Sequence, residues 1–145
     1  MRTPFASSTS SSEPPFRGVG VPLITIRSDD GRVDYVATAA LARHMVEVEH
    51  VDAIITGGTS GESFALSVAE RKALLEEVVK SVDGVVPVIA GVGTVTLEDS
   101  LELTRHAVAA GASAVLSGPA QDAGEQDRYG QLDDAGLVNH FTQVI

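Results

Sequence analysis

The chain has 145 residues, 43% of them apolar, with 20 acids against 10 bases and a formal net charge of −10. That length fits one domain with a real core. No run reaches the roughly 18 apolar residues of a membrane span, and so acidic a surface repels nucleic acid and anionic membrane. With no cysteine, disulfides and thiolate metal sites are excluded, and a cytoplasmic location is expected.

Residues 1–17 are expected to be a disordered tail. Ser7 to Ser12 is a serine-threonine run, Pro14-Pro15 follows, and periodic apolar residues are absent. A signal peptide needs an apolar stretch after its basic start, and there is none. Arg2, the serines and the lack of an acid before Glu13 leave a transit peptide as the alternative.

Over 18–145 a unit of strand then helix recurs roughly every 30 residues. The first strand is expected over Val19 to Ile26, with Pro22 marking its first turn or an edge. A loop at Ser28-Asp-Asp-Gly31 leads to a helix from Asp34 to Val48, with Val36, Leu41, Met45 and Val48 near one face. Val51 to Thr56 is the second strand. Ser67-Val-Ala-Glu70 is a capping box opening a helix to Val82, with Leu74, Leu75, Val78 and Val82 at helical spacing. Val85 to Ala90 is the third strand, ending in Gly91-Val-Gly93. Thr96 precedes a helix to Ala110, and Gly111 stands where a left-handed C-cap is expected. Ala112 to Ser117 is the fourth strand. After a polar loop from Gly118 to Gln131, Asp133 or Asp134 starts a fourth helix through Leu137, Val138, Phe141 and Val144.

Apolar strands alternating with amphipathic helices call for a parallel sheet with right-handed crossovers. A dinucleotide-binding sheet would carry G-x-G-x-x-G after its first strand. Here that strand ends in Thr25-Ile26-Arg27, and Gly91-Val-Gly93 lacks a third glycine at the required spacing. A (β/α) barrel gathers its chemistry at the C-terminal ends of several strands, which matches Thr25, Gly57 to Ser63 and Gly91 to Thr94. Four βα units make half such a barrel.

The stretch from Asp52 to Ser63, DAIITGGTSGES, carries the strongest functional signal. A short apolar strand delivers a glycine-rich turn with two adjacent hydroxyls, Thr59 and Ser60. Glycines let backbone come close to a ligand, and free amides with hydroxyls supply donors for a carboxylate or phosphate. The plain alternative is a tight strand-to-helix turn with no ligand.

Gly58-Thr-Ser-Gly-Glu62 resembles the G-T-T-G-E signature of the dihydrodipicolinate synthase / N-acetylneuraminate lyase family, and Pro87-Val-Ile-Ala-Gly-Val-Gly93 resembles that family's third-strand motif. Asp30-Gly-x-Val-Asp-Tyr35, Ala109-Ala-Gly-Ala-x-Ala114 and Gly136-Leu-Val-Asn-His-Phe141 agree with its flanking patterns. The resemblance implies the (β/α)8 TIM-barrel fold, here its N-terminal half. It also implies class I aldolase or lyase chemistry without a cofactor, in which a sixth-strand lysine forms a Schiff base with pyruvate or a related 2-oxo acid. It casts Thr59 in a proton relay with a tyrosine and Ser60 as hydroxyl and amide donor to the substrate carboxylate, with Gly58 leaving room. Ser60 stands for the commoner threonine and keeps the hydroxyl. Thr25 matches a first-strand threonine, followed here by Ile26 where proline is usual. Full-length members are expected to be homo-oligomers.

The chain also departs from the family. Its two lysines, Lys72 and Lys80, fall in the capped helix and read as solvated charges outside any barrel. The fifth-strand tyrosine has no counterpart, and the family's P-Y-Y is Pro119-Ala-Gln121. Tyr129 reads as a loop residue and Tyr35 as packing. His44, His50, His106 and His140 show no metal-ligand spacing, Ser63 lacks a G-x-S-x-G context, and Glu62 is expected to bond the loop backbone.

The leading expectation is therefore a truncated, inactive piece of a Schiff-base aldolase or lyase that keeps its carboxylate loop. The alternatives are a non-catalytic half-barrel that self-associates, a 2-oxo acid binder, or a relative of the family's sugar-acid aldolases and dehydratases.

Overall fold

The computed structural model describes residues 17–94, 96–120, 124 and 133–144 of the chain. Residues 1–16 of the expected tail, and Tyr129, lie outside the described residues. Four short strands form the sheet: β1 (Gly20–Pro22), β2 (Ala53–Thr56), β3 (Val88–Gly91) and β4 (Ala114–Leu116). They lie in the order β1-β2-β3-β4 and every pairing is parallel, with Gly20 opposite Ala53, Ile54 opposite Val88 and Ile89 opposite Ala114. The crossovers run through α1 (Tyr35–Glu47), α2 (Val68–Val82) and α3 (Leu97–Ala110), and α4 (Asp134–Val144) follows β4. Neighbouring strands joined by successive right-handed crossovers set these helices side by side on one face. Each helix accordingly packs on the next. This is a partial α/β barrel.

The strands are shorter than the apolar runs that announce them. Val19, Ile24 and Val85 are exposed, because the ladder ends before they do. Pro22 closes β1, which pairs on one side only, and the next residue's amide, Leu23 N–H, donates to Ile55 O at 2.8 Å.

Helix ends follow local chemistry closely. The Asp34 side chain accepts the Ala37 amide, and Thr96 accepts that of Asp99. Ser67 and Glu70 close the capping box in both directions. Gly111 ends α3 in the left-handed conformation, with φ +88°.

Between sheet and helices, Leu74, Leu75, Val78 and Val82 of α2 pack with Ile54, Val88 and Leu103. That face of α2 is as expected from its spacing. The face of α1 is so only in part: Leu41 and Met45 are partly buried and pack against the core. Val36 is 75% exposed and Val48 is exposed, while Thr38, Ala39, Ala42 and Val46 are buried. Alanines let α1 approach α2 closely, so its small residues face inward. On α4 the buried residues are Gly136, His140 and Val144, while Val138 and Phe141 are exposed.

Candidate functional site

β2 ends at Thr56, and Gly57 turns the chain at φ +71°. Two 3-10 turns follow, Thr59–Gly61 and Ser63–Ala65, joined by Glu62 in the left-handed region at φ 55°, ψ 39°. The loop bonds itself: the Gly61 and Ser63 amides both donate to Gly58 O, and the Glu62 amide to Thr59 O. Thr25 braces it from the β1 side, its hydroxyl donating to Gly61 O at 2.7 Å. The Glu62 carboxylate does not bond the loop backbone as expected. It accepts from Arg27 Nε at 3.3 Å, because the left-handed turn sends its side chain outward beside that arginine.

The loop forms one wall of a pocket of about 160 Å³ at the C-terminal ends of β2, β3 and β4. Its lining is Gly57, Gly58, Thr59, Ser63, Phe64, Gly91, Gly93, Thr94, Leu116, Gly118 and Pro119. Gly58 and Thr59 thus face the cavity, whereas Ser60, the next residue on the same turn, is exposed and not in the lining. No lining side chain titrates near neutrality. The pocket offers hydroxyls, backbone amides and apolar surface, a set suited to holding a small anion. Among the described residues it offers no base or amine of its own. Lys72 pairs with Glu102 between α2 and α3, Lys80 is exposed, and neither lines the cavity. Tyr35 packs against the core away from the pocket.

Two residues behind the pocket are given no role by the sequence reading. Arg71 of α2 is only 6% exposed. Its Nη2 donates to Gly91 O at 2.7 Å and, at a longer 3.4 Å, to Gly57 O, and Nη1 donates to Gly93 O at 2.9 Å. One side chain thereby ties the ends of β2 and β3 together. Burial pushes its pKa down from the ordinary arginine value, opposed by the nearby charge of Asp99; an arginine so placed keeps its charge.

His140 of α4 is fully buried. Its Nδ1 accepts the Ala120 amide at 3.1 Å, which leaves the ring proton on Nε2 to be donated to Ser117 Oγ at 3.0 Å. The Ser117 hydroxyl donates in turn to Gly118 O. Read from sequence as one of four scattered histidines, His140 holds the loop after β4 that supplies Gly118 and Pro119 to the pocket. The signal available was its place in the fourth-helix motif.

The dihydrodipicolinate synthetase family profile matches residues 15–145. Over 129 residues the chain is 40% identical to the 4-hydroxy-tetrahydrodipicolinate synthase of Bacillus subtilis strain 168, covering 89% of this chain and 42% of that one. The crystal structure of YagE, a prophage protein of the dihydrodipicolinic acid synthase family from E. coli K12 in complex with pyruvate, is similar with a TM-score of 0.78 at 32% identity. That match covers 88% of this chain and 40% of YagE. Dihydrodipicolinate synthase from Aquifex aeolicus is similar with a TM-score of 0.76 at 35% identity, over 89% of this chain and 41% of the other. The chain thus spans about two fifths of the length of these relatives, and it belongs to the dihydrodipicolinate synthetase family.

Proposed function

We propose that this member of the dihydrodipicolinate synthetase family carries the carboxylate-recognition part of a 2-oxo acid site of the Schiff-base aldolase and lyase type, with pyruvate or a pyruvate-like acid as ligand. The observation that carries the reading is the pocket at the ends of β2, β3 and β4, with Gly58 and Thr59 in its wall and, among the described residues, no amine beside it. Thr59 offers its hydroxyl into the cavity. Ser60, one residue on, brings its hydroxyl and amide to the carboxylate from the edge of the same turn. The pyruvate complex of YagE supports the choice of ligand.

In this reading the 145 residues bind but do not form the iminium, since Lys72 and Lys80 sit on α2, turned to α3 and to solvent. The nucleophilic amine then comes from polypeptide outside these residues. With its partners on later strands likewise outside, the reading extends equally to a sugar-acid aldolase or dehydratase of the family. A cytoplasmic location goes with the cysteine-free composition.

Calorimetric titration with pyruvate tests binding, and borohydride reduction in its presence tests chemistry. Saturable binding with no gain in mass is expected. No binding, or a stable covalent adduct, overturns the reading.

A second reading is favoured by the sheet edges. β1 and β4 each pair on one side only, and Ile24 and Leu116 near them are exposed. Association of two half-barrels, in the manner of a homo-oligomer, would cover them. A stable monomer by light scattering removes this reading.

A further inference from the structure

Arg71 is an odd residue to bury in a helix that otherwise presents leucines and valines to the core. Among the described residues no carboxylate hydrogen-bonds to its guanidinium, and its Nε is buried without a partner. Three of its five donors go instead to three carbonyls, and all three belong to residues that line the pocket. A full positive charge therefore stands directly behind the pocket wall, with Asp99 acting on it through space.

The peptide geometry gives this grip a direction. No cis peptide occurs among the described residues, and in a trans unit the amide hydrogen points opposite to the carbonyl oxygen. Drawing Gly57 O and Gly93 O back onto Arg71 thus turns the amides of Gly58 and Thr94 away from it. Both residues line the pocket, and among the described residues neither amide has an acceptor. The third unit differs usefully: the amide that follows Gly91 O, that of Val92, donates to Leu116 O at 2.9 Å and ties β3 to β4. Two of the three held carbonyls therefore correspond to free donors at the cavity, and one to the sheet.

We propose that Arg71 is a positioning residue for anion binding, aiming the Gly58 and Thr94 amides into the pocket and holding a positive charge behind its wall. The inference rests on the 2-oxo acid reading above. It deepens that reading by naming the donors and the residue that orients them. Lysine at this position keeps the charge but not the planar fork that spans three carbonyls, so the two contributions separate.

The test is a pyruvate titration of the full chain followed by amide NMR, for wild type, Arg71→Gln, Arg71→Lys and the core variant Leu74→Ala. In wild type the Gly58 and Thr94 amides should be among the most strongly shifted. Arg71→Gln should weaken pyruvate about tenfold or more, with Arg71→Lys between it and wild type. Leu74→Ala, destabilised through the core alone, should keep wild-type affinity, which separates positioning from general loss of stability. Wild-type affinity in folded Arg71→Gln overturns the inference. So does a wild-type titration that moves Thr59 and Ser60 but leaves Gly58 and Thr94 still; that measurement decides the matter even where the glutamine variant fails to fold. No pyruvate binding by wild type overturns the functional reading itself, and this inference with it.

Discussion

The carbonyl oxygen of Gly57 lies where a side chain on Gly91 would begin: a Cβ there would stand 2.2 Å from Gly57 O and 2.9 Å from Gly58 N. Both neighbours are backbone, so neither can swing aside. The loop after β2 and the end of β3 are in contact only because position 91 has no side chain.

Gly91→Ala must therefore push the Gly58–Ser60 turn off β3. We expect a loss of about 1–3 kcal/mol in stability, measured by urea unfolding, together with loss of pyruvate binding. Gly93→Ala, whose Cβ would meet the Gly118 amide nitrogen at 3.1 Å, should cost less on both counts. Equal and small effects from the two would show that the loop contact is slack.

Thr59 lines the pocket and Ser60 does not, so their hydroxyls can be told apart. Removing a hydrogen bond to a charged carboxylate costs about 1.5–3 kcal/mol. Thr59→Val and Ser60→Ala should each weaken pyruvate by that amount in calorimetry, and Ser60→Thr should restore binding. Unchanged affinity in Ser60→Ala would remove Ser60 from the site and leave Thr59 with the pocket amides.

The capping box sets a pH dependence. Backbone and side-chain hydrogen bonds from Ser67 hold Glu70 below the ordinary value of 4.5. A carboxylate whose folded pKa is depressed stabilises the fold above its unfolded pKa, and that contribution disappears as pH falls through the folded value. The stability gap between wild type and Glu70→Ala should thus be constant near neutrality and close as pH drops below about 4.5. A gap that persists at low pH would show that the carboxylate charge is not what the cap uses.

His140→Phe keeps the ring volume but leaves the buried Ala120 amide without its acceptor. A loss of about 1–3 kcal/mol is expected, with changes in the resonances of Gly118 and Pro119. In wild type the nitrogen NMR shifts of the ring should report a neutral imidazole protonated at Nε2, and protonation at Nδ1 would contradict the assigned network.

Local chemistry was the legible part of this sequence. Ser67 and Glu70 lie three residues apart and satisfy each other with no help from the rest of the fold, so their cap could be read directly. The order of strands followed in the same way, since short apolar runs alternate with helices. Strand ends were less legible because Val19 and Val85 are apolar yet stand beyond the ladder. The inward face of α1 was hidden for the opposite reason: Ala39 and Ala42 carry little hydrophobic signal, although close helix packing depends on them. At the site, Gly58 and Thr59 were visible because the turn motif is contiguous. Arg71 was not, since a charged residue in an amphipathic helix reads as solvated until the carbonyls it meets are known. His140 was hidden likewise, its partners Ser117 and Ala120 being 23 and 20 residues away.

Arg71 is encoded in one βα unit and bonds to the strand ends of two. A chimera joining this chain to a relative anywhere between Arg71 and Gly91 would set this guanidinium against a β3 end taken from the relative. Crossovers before Gly57 or after Gly93 keep the set intact. In recombination experiments across the family, residues 57–93 should therefore behave as one inherited block, although they contain a whole helix, a whole strand and two loops.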